Sequence, residues 1–225
     1  SVAGDDLYLS IDADLQKATY IALEREIAGI VYSNIKAGNI PIIDVYKALI
    51  GNRVIDISHF TEDDASATEK GLYSSFKNTH KNVQKNIKKE LTTSPKALDQ
   101  MSDETLDEFT HIISMLKDNG ILLTSEIDTN DETYQKWKNQ KISPKEYLNY
   151  CISQQWIDIS QLSVDEKYAD SSEVYDALCN YILDHLKDDK DFDTIIYEYM
   201  IARGDISPRK LCIILFEQGV LDYDD

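Results

Sequence analysis

Four serines in this chain carry a lysine three residues on: Ser33/Lys36, Ser74/Lys77, Ser114/Lys117 and Ser207/Lys210. One helical turn separates such a pair, close enough for the amine to take the hydroxyl proton and make the serine a nucleophile for acyl transfer. That chemistry also needs a Ser-x-Asn and a Lys-(Thr/Ser)-Gly strand, and the sequence holds neither. The chain is rich in both serine and lysine, so four matches are a weak signal. Ser207 precedes Pro208 and reads as a helix cap, while Ser74 falls in the middle of a helical pattern rather than at its start. No catalytic residue is therefore assigned, and the sequence predicts a chain without enzymatic activity of its own.

Metal and cofactor chemistry fare no better. Asp189, Asp191 and Asp193 copy the first three ligand positions of a calcium loop, but Thr194 stands where the sharp-turn glycine belongs and Met200 where the bidentate glutamate belongs. His59, His80, His111 and His185 are far apart and match no ligand spacing. Cys151, Cys179 and Cys212 form no Cys-x-x-Cys pair, and each sits in an apolar helical pattern that reads as a buried free thiol. There is no glycine-rich phosphate loop and no Gly-x-Ser-x-Gly turn. No metal, cofactor-binding residue or cofactor is expected. The aromatic run Tyr134, Trp137, Tyr147, Tyr150 and Trp156, with Tyr175, Tyr181, Tyr197 and Tyr199 after it, reads as helix core and boundary rather than a binding platform.

The elements that would position these residues are helices. The first helical pattern carries Leu15, Ala18, Ala22, Ile27, Ile30 and Val31, with Asp12 as its cap, and fades between Asn34 and Gly38. A short helix runs from Pro41 to Gly51. Thr61 to Asp64 reads as the cap of a long helix whose stripe is Ala65, Leu72, Phe76, Val83, Ile87 and Leu91. Its lysines 77, 81, 85, 88 and 89 form the solvated back. Ser102 opens another helix that Gly120 ends, residues 125–132 read as a loop, and further helices start at Pro144, near Ser172, near Asp191 and at Pro208. A unit recurs irregularly, a short helix ending in two apolar residues: Val54-Ile55, Ile121-Leu122, Trp156-Ile157 and Val220-Leu221. The fold class is mainly α, an irregular multi-helix bundle with one short N-terminal β-strand over residues 6–11, where Leu7, Leu9 and Ile11 alternate.

The 225 residues carry 23 Lys and Arg against 41 Asp and Glu, a net charge of −18. Such a balance excludes a nucleic-acid partner and direct contact with an anionic membrane. No apolar run is long enough to span a bilayer and no signal-peptide pattern opens the chain.

The stretch Asp6-Leu7-Tyr8-Leu9-Ser10-Ile11-Asp12-Ala13-Asp14-Leu15-Gln16 resembles the opening strand and first helix of the transpeptidase domain of class B penicillin-binding proteins. Ala22-Leu23-Glu24-Arg25-Glu26-Ile27-Ala28-Gly29-Ile30 looks like the rest of that helix, whereas the strand that should then return to the central sheet is not recognisable. The long helical remainder is similar to an insertion found in such proteins of Clostridium-like Gram-positive bacteria. The resemblance implies two parts: residues 1–38, a transpeptidase-like start, and residues 39–225, a helical insertion domain. It implies a parent D,D-transpeptidase that cross-links peptidoglycan and is acylated by β-lactams. That parent would be anchored by a span outside this segment and would face the extracytoplasmic side of the membrane. The insertion's partners would be other cell-wall synthesis proteins or the parent's own catalytic domain. The competing expectation is a free-standing acidic helical adaptor, an interaction module.

Overall fold

The computed structural model describes residues 13–165, 167 and 169–222. The strand expected over residues 6–11 and the cap expected at Asp12 lie outside them. The chain is mainly helical, and among the described residues the sole β feature is an isolated antiparallel bridge between Leu122 and Ile157. The helices are α1 (Ala13–Lys36), α2 (Ile42–Gly51), α3 (Ala67–Leu91), α4 (Asp103–Asp118), α5 (Glu132–Lys138), α6 (Pro144–Ser153), α7 (Ser171–His185), α8 (Lys190–Ala202) and α9 (Pro208–Glu217). Two compact units divide the chain, residues 1–46 and residues 47–225. No helix among the described residues is long and apolar enough to cross a membrane.

In the first unit, α1 carries Leu23, Ile27 and Ile30 at helical spacing on one face, each more than half exposed. Gly38, at φ +74°, follows the end of the helix.

In the second unit, α3 is the hub. It packs against the turn at His59–Thr61 and against α6, α7, α8 and α9. Leu72, Phe76, Val83, Ile87 and Leu91 form its buried stripe, with the predicted lysines on the exposed side. The cap lies later than the sequence suggested. Ser66 accepts from the N–H of Glu69, and the Glu69 carboxylate reaches back to the N–H of Ser66, a reciprocal box that Thr61–Asp64 does not form. Around the hub, α4 packs on α8, α5 on α6 and α6 on α7. Helix α5 occupies part of a polar stretch with little apolar periodicity; Asp131 starts it by accepting from the N–H of Tyr134.

The recurring apolar pairs have one backbone cause. Each follows a residue in the left-handed region: Arg53 (φ 57°), Gly120 (φ 72°), Gln155 (φ 60°) and Gly219 (φ 68°). An N–H of the following pair then returns to a carbonyl of the last helical turn, as from Ile121 to Leu116 at 2.9 Å and from Trp156 to Cys151 at 2.8 Å. This turn steers the next apolar side chains inward. Ile55, Ile121, Leu122, Trp156 and Ile157 are all buried, whereas Val54, Val220 and Leu221 remain exposed.

Candidate functional site

The sequence-flagged residues divide cleanly. In the serine–lysine pairs, Ser114 donates to Asp118, Ser207 caps α9 by accepting from the N–H of Lys210, and Lys77 Nζ lies 4.9 Å from the Tyr73 ring centre. The three aspartates of the calcium-like segment do three separate jobs. Asp189 caps α8 through the N–H groups of Asp191 and Phe192 and accepts from His111 Nε2 at 2.7 Å. Burial pushes the Asp189 carboxyl up, but the His111 and backbone hydrogen bonds outweigh it and hold it below the ordinary range. Asp191 is exposed beside Arg53, and Asp193 turns toward α3.

The histidines all have partners: His59 Nδ1 meets Glu69, His80 Nε2 meets the carbonyl of Leu186, and His185 Nδ1 meets the carbonyl of Tyr181. Cys151 and Cys179 are buried, and burial pushes the Cys151 thiol up to about 12. Cys212 is exposed, against the reading of three buried thiols, because it sits on the outer face of α9 while Leu211, Ile214 and Leu215 take the inner one. Of the flagged aromatics Tyr147, Trp156, Tyr175 and Tyr197 are buried and the others half-buried: Tyr147 stacks on Trp137 at 4.3 Å, and the buried Tyr175 hydroxyl donates to the carbonyl of Leu91.

Two features go beyond the residues flagged from the sequence. One is a group of donors: His59, Glu62 and Asp64 each offer a ligand atom, all within 4.8 Å of one another. Glu62 and Asp64 are exposed, and Asp64 Oδ1 stands 3.5 Å from His59 Nε2. These residues could hold a cation, though His59 already serves a second purpose, orienting against Glu69.

The other feature is a cleft of about 390 Å³ between α3 and α8. Asp193 and Tyr197 stand four residues apart, on one face of α8, and form its floor. On the α3 side Tyr73, Phe76, Lys77 and His80 follow helical spacing and make the opposite wall. The loop before α3 adds Ser58 and Thr61, and the turn into α8 adds Lys187, Asp188 and Lys190. Phe76 stacks on Tyr197 with ring centres 4.4 Å apart, and Phe60 meets the same ring edge-on.

The polar groups at the floor are incompletely paired. A carbonyl can only accept, so His80 Nε2, 3.0 Å from the Leu186 oxygen, carries the hydrogen there. Asp193 Oδ1 lies 3.6 Å from the same nitrogen, beyond hydrogen-bonding reach. Among the described residues three buried side-chain polar atoms lack a partner, and two of them, Asp193 Oδ1 and the Tyr197 hydroxyl, belong to this cleft. Burial, with the charges of Asp189 and Asp188 added and Lys190 opposing, pushes the Asp193 carboxyl up to about 7. Burial likewise raises the Tyr197 phenol, keeping it protonated.

No protein-family model, curated protein or solved structure matches this chain.

Proposed function

We propose that this chain is a non-catalytic, mainly helical insertion domain of a class B penicillin-binding protein, preceded by the opening strand and first helix of the transpeptidase domain. Its role is to contact other cell-wall synthesis proteins or to position the parent's catalytic domain. The Leu7-Tyr8-Leu9-Ser10-Ile11-Asp12 motif and the Leu15-Gln16 pair carry the reading. The exposed face of α1 supports it: Leu23, Ile27 and Ile30 are the type of apolar stripe that packs on a neighbouring element. A transpeptidase domain would supply that element. The acidic balance suits contact with proteins rather than with nucleic acid or anionic lipid.

The test is a deletion of residues 39–225 in the full-length protein, read by labelling with a fluorescent penicillin and by wall growth. Retained labelling with disturbed septal or lateral growth is the expected result. Unchanged growth would remove the proposed role, and acylation of the isolated 225-residue chain would show that it has a nucleophile of its own. A reading frame without downstream Ser-x-x-Lys, Ser-x-Asn and Lys-Thr-Gly motifs would favour the free-standing adaptor.

A further inference from the structure

The cleft between α3 and α8 has the features of a binding site rather than a packing defect, whether or not the chain belongs to a penicillin-binding protein. Its volume, about 390 Å³, falls at the lower end of small-molecule pockets. The Tyr197 side chain that lines it is 2% exposed, yet its hydroxyl has no partner. Buried polar groups are nearly always paired, so an orphan at the floor of a cleft asks for a group from outside. A second orphan acceptor, Asp193 Oδ1, stands on the same helix face; that oxygen is itself buried, while the Asp193 side chain as a whole keeps 23% exposure.

The chemistry of that group follows from what the floor lacks. Asp193 accepts and Tyr197 both donates and accepts, so a donor-rich cation satisfies both while neutralising the carboxylate. The rim carries the opposite preference. Lys77, Lys187 and Lys190 gather there beside the single acid Asp188, with the hydroxyls of Ser58 and Thr61, in a chain that otherwise has far more acids than bases. Lys187 already pairs with Asp184, and Lys77 lies over Tyr73, which leaves the rim suited to a single carboxylate rather than a polyanion.

We infer that this cleft binds a small zwitterion, a free amino acid or the exposed ends of a dipeptide, with its ammonium on Asp193 and Tyr197 and its carboxylate at the lysine rim.

The test uses the 225-residue chain in proton–nitrogen NMR titrations with alanine, alanyl-alanine, N-acetyl-alanyl-alanine and alanyl-alanine amide. The expected result is saturable binding of alanine or alanyl-alanine, with Kd at or below about 1 mM and shifts centred on His80, Asp193 and Tyr197. The stronger of those two probes separates a free amino acid from a dipeptide. Blocking either end should weaken binding at least tenfold. Asp193→Asn and Tyr197→Phe are near-isosteric, and each should weaken the zwitterion at least tenfold without lowering the melting temperature. Lys77→Ala, on the exposed rim, should weaken the free-carboxylate probes and leave the amide unchanged. Shifts centred elsewhere, equal affinity for blocked and unblocked probes, unchanged binding in all three variants, or no saturable shift with any probe would overturn the inference.

Discussion

Two histidine–carboxylate sites flank α3, and they are finished to different degrees. At its start, Glu69 is 1% exposed and fully engaged: it accepts from the N–H of Ser66, from Gln218 Nε2 and from His59 Nδ1. Burial alone would raise its pKa, yet these bonds hold the carboxylate below its ordinary range. Further along, Asp193 stands near His80 without reaching it, its Oδ1 has no partner, and its carboxyl is pushed up to about 7. The residue types are similar; the difference is whether the surrounding chain supplies the donors. Glu69 ties the two ends of the second unit's sequence together, since Gln218 also bonds the backbone of Asp56. Asp193 Oδ1 has only the 3.6 Å approach of His80 Nε2 and no hydrogen bond, which leaves it open to a donor from outside.

The largest expected effect lies at the finished site. Glu69→Ala removes three hydrogen bonds, leaving Gln218 only its bonds to the Asp56 backbone and the helix cap only its Ser66 half, a loss of about 3–4 kcal/mol. Thermal unfolding should fall by roughly 10 °C. A loss of only a degree or two would mean that the Glu69 network does not hold the fold.

Glu108 sharpens the contrast from the core. It is 3% exposed, and burial, with the charge of Glu104 added, pushes it up to about 8 from an ordinary 4.5. Arg203 opposes this, but its guanidinium is committed to Glu104. Between pH 4.5 and 8 the unfolded chain releases a proton that the folded chain keeps, so Glu108 lowers stability progressively across that window as pH rises. Glu108→Gln should raise stability by on the order of 3 kcal/mol at pH 8 and change little at pH 4. Equal effects at both pH values would contradict the buried neutral acid.

Smaller effects belong to the cleft. Asp193 follows the same sign between its ordinary 3.8 and about 7, softened by its partial exposure. Asp193→Asn should therefore gain about 1 kcal/mol at pH 8 and nothing at pH 3. Tyr197→Phe removes an unpartnered hydroxyl and should change stability by less than about 0.5 kcal/mol, because no hydrogen bond is lost. A clear destabilisation by either, measured by denaturant unfolding, would show a hidden internal partner.

Much of the helical frame was legible because its boundaries are local chemistry. Ser143 before Pro144, Ser207 before Pro208, and Gly120, Gly204 and Gly219 after their helices act within one turn of themselves. The α3 stripe was legible for the same reason. What escaped the sequence was set by distant partners. Arg53, Gln140 and Gln155 take left-handed turns that glycine would have announced. Glu108 looked like any charged residue of an amphipathic helix, because its burial is set by tertiary packing rather than by its own helix. The His59-x-x-Glu62-x-Asp64 grouping was findable as a short-range pattern, but only the turn preceding α3 folds its donors together. The cleft pairs α3 with a helix more than a hundred residues away, and no spacing rule carries that information.

The measurement that bears most directly on this account is a carbon-detected NMR titration of the Asp193 carboxyl, without and with saturating alanyl-alanine. The account predicts a midpoint near 7 for the protein alone, set by burial and the neighbouring Asp188 and Asp189, and a fall toward the ordinary carboxylate range once an ammonium sits on it. An ordinary midpoint that the dipeptide leaves unmoved would contradict it.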